Sequence, residues 1–317
     1  MRTLYAPLQP YQVEQLDVGD GHVLHVEQCG RPDGIPVLFL HGGPGSGCKA
    51  DHRQFFDPAL YRIFLVDQRG AGRSTPFGGV ATNTTRHLID DLERIRSRHA
   101  IDRWLLFGGS WGAALALAYA EDCPDRVSGM ILRGTFLARR RDVDWFFSNG
   151  ANRLLPLEWD RFMSDLQAPP GADLGQFMYD GILAEDQPVV ERIARAWEAW
   201  SGAVVMYSID SAPSVAAAGP LELAIGKARM EMHYAQHGYF LEENQLLDRA
   251  HRLPRVPTII VHGARDITCP SESAWIMHRA LPHSRLQILR TAGHLSSEGP
   301  MVDALVRATD ELARQLS

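Results

Sequence analysis

Gly108-Gly109-Ser110-Trp111-Gly112 follows the apolar run Trp104-Leu105-Leu106-Phe107 and precedes the alanine-rich stretch Ala113 to Ala120. The order is strand, glycine-flanked serine, helix, and it constrains this chain more than any other feature. Such a turn is too tight for side chains two residues either side of the serine, so Gly108 and Gly112 stand there. The serine is pushed into a strained, exposed position with its hydroxyl at the head of the outgoing helix. G-x-S-x-G alone arises by chance. With a strand before it and a helix after it, the pattern reads as a nucleophile rather than as a glycine-rich helix cap with an incidental serine.

A serine hydroxyl is a weak nucleophile until a base takes its proton. In this strand–turn–helix context the partners follow in the chain order Ser, Asp, His. Pro257-Thr258-Ile259-Ile260-Val261 reads as a buried strand and ends in His262-Gly263-Ala264-Arg265-Asp266. Leu286-Gln287-Ile288-Leu289 reads as the next strand and leads to Thr291-Ala292-Gly293-His294. Asp266 and His294 therefore fall on the same sheet edge as Ser110, where open α/β sheets place their ligands. His294 is the expected base, and Asp266 the group that fixes its tautomer and stabilises the imidazolium. Asp248 and Glu272 are rivals for the acid, but neither follows a strand.

The oxyanion formed on an attacked carbonyl needs donors. Val37-Leu38-Phe39-Leu40 runs into His41-Gly42-Gly43-Pro44-Gly45, where glycines let the backbone approach a substrate. The expected donors are the backbone N–H groups of Gly43 and Trp111. Gly42 to Gly47 also has the glycine spacing of a phosphate loop. Cys48-Lys49 follows, however, where Lys-Ser or Lys-Thr is required.

Strand patterns at 37–40, 63–66, 104–107, 129–132, 258–261 and 286–289 alternate with helical patterns near 84–99, 111–123, 271–281 and 301–315. This alternation predicts a mostly parallel sheet covered on both faces. Alternating residues before position 36, such as His22-Val23-Leu24-His25-Val26-Glu27, predict antiparallel strands at one edge. From Phe136 to His251 the alternation stops. Trp, Met, Glu and Arg recur there at helical spacing, with loop signals at Ala168-Pro169-Pro170-Gly171 and Ser211-Ala212-Pro213. The reading is a core of residues 1–135 and 252–317 with a helical cap, residues 136–251, inserted between two core strands. It would cover the site, exclude water and shape the pocket.

The chain has 317 residues, 45% of them hydrophobic, enough for a core that needs no disulfide staples. Its net charge of −6 argues against nucleic acid or an anionic membrane as partner. Arg139-Arg140-Arg141 is too short to change that. No apolar run reaches the length of a membrane span, and Met1 to Pro7 lacks the apolar core of a signal peptide. Four scattered cysteines, with no C-x-x-C, fit reduced thiols in the cytoplasm. Cys269, three residues after Asp266, is expected to be a small apolar filler near the site.

Taken together, the motifs resemble the proline iminopeptidases, serine peptidases of the α/β-hydrolase fold. The matching elements are His41-Gly42-Gly43-Pro44-Gly45, Asp67-Gln68-Arg69-Gly70-Ala71-Gly72-Arg73-Ser74, Asn83-Thr84-Thr85, Gly108-Gly109-Ser110-Trp111-Gly112, Leu132-Arg133-Gly134, His262-Gly263-Ala264-Arg265-Asp266 and Gly293-His294. Trp145-Phe146 and Gly150-Ala151 extend the likeness into the cap. The resemblance implies release of an N-terminal proline, or a similar residue, from small peptides through an acyl-enzyme, with no metal and no cofactor. It also implies cap carboxylates for the substrate's free α-amino group and aromatics for the proline ring.

The match in the cap is partial. Glu231 matches one amine-binding Glu of the family, and Phe136 and Phe147 fall where ring-contacting aromatics are expected. The family's Trp-Glu-Gly is Trp200-Ser201-Gly202 here, so a second Glu is missing, and Ala235 replaces an aromatic. Glu198, one helical turn before Ser201, is a candidate to reach the same space. These departures leave open an esterase or amidase of the same fold acting on a different small molecule.

Overall fold

The computed structural model describes residues 1–207 and 219–316. The two alternating segments near the start form β1 (Gln12–Gly19) and β2 (His22–Gly30), paired antiparallel. The apolar runs become β3 (Ile35–Leu40), β4 (Tyr61–Val66), β5 (Trp104–Gly109), β6 (Val127–Arg133), β7 (Thr258–Gly263) and β8 (Arg285–Leu289). They lie in one sheet in the order β1-β2-β4-β3-β5-β6-β7-β8. The pairings from β4 to β8 are parallel, and β2 joins β4 antiparallel.

Successive strand residues point to opposite faces, and both faces are buried. Leu38, Leu40, Leu106 and Leu132 pack with residues of α1 (Thr85–Arg98) and α2 (Trp111–Asp122). Val37, Phe39, Leu105, Phe107 and Ile131 pack on the other side with the last described helix (Gly299–Leu316). This is the α/β-hydrolase fold. The parallel strands all deliver their carboxyl ends to one edge, so the loops after β3, β5, β7 and β8 meet there.

Between β6 and β7 the described residues form α3 (Arg140–Phe147), α4 (Pro156–Leu166), α5 (Leu174–Ile182), α6 (Gln187–Val205), α7 (Leu221–Gln236) and α8 (Gln245–Asp248). Ala168-Pro169-Pro170-Gly171 separates α4 from α5. The second loop signal, Ser211-Ala212-Pro213, lies outside the described residues. These helices have an apolar cluster of their own, with Phe162, Met178, Trp197 and Trp200 at its centre.

Helix α7 is fastened to the sheet layer by polar contacts. The Asn83 side-chain amide donates to Arg69 O at 3.1 Å and Gly79 O at 2.8 Å, and its Oδ1 accepts from the Tyr234 hydroxyl at 2.8 Å. Both N–H groups and one Oδ1 lone pair of a fully buried Asn are thus used. Arg69 is equally buried and holds Asp91 bidentately at 2.7 and 2.9 Å. Two sequence motifs with no evident chemistry therefore act as the seam between layers.

Candidate active site

Ser110 lies in the turn from β5 to α2 with φ 57° and ψ −124°. A Cβ at Gly108 would stand 2.2 Å from Gly112 O, and one at Gly112 would stand 2.1 Å from Leu40 O. Both are far inside contact distance, so the flanking glycines are a steric requirement of this turn.

The loop after β7 carries Asp266 and the loop after β8 carries His294. His294 Nδ1 donates to Asp266 Oδ2 at 2.8 Å, and Asp266 Oδ1 accepts the Thr268 and Cys269 amides, each at 2.9 Å. Burial pushes the Asp266 carboxyl up, but the His294 imidazole and the Cys269 amide outweigh it and hold it below the usual range. His262 is sealed beneath this pair. Its Nδ1 accepts from the Thr135 amide at 3.1 Å and its Nε2 donates to Cys269 O at 2.7 Å. Burial lowers its basicity, so it is a neutral brace.

Arg133, at the end of β6, donates to His294 O at 2.7 Å and brings Nη1 to 3.4 Å from His294 Nε2. With the Nδ1 proton given to Asp266, Nε2 carries the lone pair, the tautomer a general base needs, and its partner in this structure is Arg133 and not the Ser110 hydroxyl. The Ser110 hydroxyl has Cys269 Sγ at 4.0 Å. Burial pushes that thiol well above its ordinary range, so it stays protonated. Ser110 and His294 line the same cavity.

Gly43 lines that cavity too, and Trp111 heads α2, where amides lack intrahelical acceptors. A relay fixes the two against each other. The Gln68 amide N–H donates to His41 Nε2 at 3.1 Å, its side-chain amide donates to His41 O at 3.0 Å, and its Oε1 accepts from Trp111 Nε1 at 3.0 Å. Because Nε2 of His41 accepts, its Nδ1–H donates to Gly42 O at 2.9 Å. Burial disfavours the charged form of this imidazole. Asp67 secures the loop from outside, accepting the Cys48 amide at 2.6 Å and the Arg73 guanidinium at 2.8 Å.

The cavity, of about 300 Å³, opens over Ser110 and is roofed by α3, α6 and α7. Phe136 stands edge-on to Tyr239 with centroids 4.9 Å apart, and Phe147 stacks on Trp197 at 4.6 Å. Glu231 faces them, with one oxygen bonded by the Trp197 indole N–H and the other 3.6 Å from Lys227 Nζ. Trp197, Tyr239 and Lys227 are site residues that sequence reasoning missed. Among the described residues no group of three or more His, Cys, Asp and Glu is arranged to hold a metal.

The family model of the alpha/beta hydrolase fold matches residues 35–299. The proline iminopeptidase of Xanthomonas citri is 46% identical over 314 residues, which cover 99% of this chain and 100% of that protein. The chain belongs to the proline iminopeptidase family. A probable proline iminopeptidase of Leptolyngbya boryana is 42% identical, covering 99% of this chain and 98% of that one. Among solved structures, an esterase from a Rhodococcus species superposes with a TM-score of 0.63 at 17% identity, covering 96% of this chain and 99% of the other. That likeness concerns the fold.

Within the proline iminopeptidase frame, Glu231, Phe136, Phe147 and Ser201 all line the cavity over Ser110. Glu198 does not. It pairs with Arg195 at 2.8 Å and accepts the Gly219 amide at 3.3 Å, so it is turned to the outer side of α6. The expectation that it replaces the missing Glu fails because Arg195, three residues away, and the chain at 219 claim it first. Ala235 does not widen the cavity either. It lines a second crevice, between α3, α5 and α7, that meets the cavity only at Val143 and Phe147.

Proposed function

We propose that the protein is a serine aminopeptidase of the proline iminopeptidase type. Ser110 is its nucleophile, His294 its general base and acid, and Asp266 the group that orients His294. The observation that carries this reading is the Asp266–His294 bond at 2.8 Å, in the cavity wall that also carries Ser110 at φ 57°. The relatives favour the aminopeptidase over an esterase or amidase with another substrate.

In this mechanism the N-terminal residue of a small peptide enters under residues 136–251, which act as the cap. Phe136 and Phe147 contact its ring, and Glu231 takes its α-amino group. Ser110 Oγ attacks the scissile carbonyl while His294 Nε2 accepts the proton. Ser110 Oγ and His294 Nε2 are not hydrogen-bonded in this structure, and catalytic bonds of this kind tighten when substrate binds. The oxyanion is held by the Gly43 and Trp111 amides, each such donor contributing about 3 kcal/mol of transition-state stabilisation. His294 then protonates the leaving amine, and water releases the acyl group by the same steps in reverse. Glu231 fixes the distance from the free amine to the scissile bond, which makes the enzyme an exopeptidase. The free thiols of Cys29, Cys48, Cys123 and Cys269 fit a cytoplasmic location.

The test offers a prolyl arylamide with a free imino group, its N-acylated counterpart and a simple aryl ester. The free compound is expected to be turned over and the acylated one to be rejected. Rapid cleavage of the acylated compound with none of the free one would refute the reading.

A further inference from the structure

We propose that Lys227 is a specificity-determining residue. It sits as an internal stand-in for the substrate's ammonium on Glu231, so a free-amine substrate binds only by displacing it. The inference rests on the aminopeptidase reading above.

An ammonium leaving water needs a carboxylate with a free lone pair and an uncompensated charge. Two carboxylates line the cavity among the described residues, Glu231 and Asp142. Asp142 is spent, since the Arg139 guanidinium grips both of its oxygens at 2.8 and 2.7 Å. Glu231 has the Trp197 indole on one oxygen and Lys227 Nζ 3.6 Å from the other. Trp197 cannot yield, being 2% exposed and stacked on Phe147. Lys227 can, because its side chain is 43% exposed and its four-carbon stem can swing into water. Ser201, the other polar group on this wall, supplies a lone pair but no charge. The pair Lys227–Glu231 is neutral, so an arriving ammonium finds a net charge only after Lys227 has left.

The stand-in is also well placed. A Cβ added to Gly45 would lie 3.6 Å from Lys227 Cα and 2.9 Å from Met230 Cβ, so this turn of α7 rests on the loop that carries Gly43. The amine site and the oxyanion loop are thus in direct contact.

The experiment measures inhibition of aryl-ester hydrolysis by prolinamide, in wild type, Lys227→Met, Lys227→Arg and Glu231→Gln, and in Glu231→Gln with Lys227→Met. The readout is Ki for prolinamide divided by KM for the uncharged ester. Lys227→Met is expected to lower this ratio roughly 2- to 5-fold, the range of a part-exposed ion pair, and Lys227→Arg to keep the wild-type ratio. In the Glu231→Gln background the Met substitution is expected to have no effect on it. Inhibition of Lys227→Met by prolinamide where wild type is not inhibited is the same result in stronger form. A ratio unmoved by Lys227→Met, or lowered equally without Glu231, would overturn the proposal. Failure of the wild type to cleave prolyl arylamide would instead count against the aminopeptidase reading, because the inhibition ratio does not depend on turnover of the amide.

Discussion

At the scale of single residues, Ser110 combines function and strain. Its φ of 57° with ψ −124° suits glycine and not an L side chain. Ser110→Ala is expected to keep the fold while kcat/KM falls at least about 10⁴-fold. Ser110→Gly is expected to be equally inactive yet more stable than the Ala variant by about 1 kcal/mol, since the glycine relieves the backbone. Thermal melts of the two variants decide this, and an Ala variant that melts at or above the Gly variant would remove the strain from the account. Ser110 and its partners were legible because each position is defined by the strand before it. The proposed amine site was less legible. Lys227 lies four residues before Glu231 on one helix, so the pairing is local, but a Lys at helical spacing reads as a solvated face. Trp197 reads as core, and nothing in its sequence neighbourhood reveals an indole N–H aimed at a carboxylate. Glu198 is held by Arg195, a neighbour on its own helix, and by the amide at 219, which sequence spacing does not reveal.

At the scale of elements, the catalytic edge depends on how loops are tied together. Strands were legible to within about two residues because their apolar runs are bounded by glycines and polar turns. The ties were not, because they join residues far apart in the chain. Asp67 shows what one such tie does. Burial raises its carboxyl, but the Arg73 guanidinium, the His41 imidazole and the Arg73 and Cys48 amides prevail and hold it below the usual range. A group with a depressed folded-state pKa stabilises fully above its unfolded value, and the stabilisation fades as pH falls through the folded value. Asp67→Asn is therefore expected to melt well below wild type near neutral pH, with the gap closing as the solution is acidified below about pH 4. A gap that stays constant through this range would mean that Asp67 acts through shape and not through its charge.

At the scale of the whole molecule, the proposed mechanism divides the work between the sheet layer and the inserted helices. Gly43, Ser110, Asp266 and His294 all lie on loops of the sheet layer, whereas Glu231, Phe147 and Trp197 belong to helices with their own apolar cluster. Bond cleavage and choice of substrate should then be separable by mutation. Phe162 is the place to try. It is 2% exposed, stacks on Trp200 at 5.8 Å, stands edge-on to Trp197 at 6.2 Å and does not line the cavity over Ser110. Phe162→Ala removes about 3–5 kcal/mol of packing, and that loss falls on the inserted helices. Hydrogen exchange is expected to speed up over 156–205 and 221–236 while β3, β5 and β7 keep their protection. Loosening Trp197 frees Glu231, so turnover of a prolyl arylamide is expected to fall several-fold further than turnover of an aryl ester. Equal losses on both substrates, with exchange rising across the sheet as well, would mean that the two layers unfold as one unit and that the division between cleavage and selection is not a physical one.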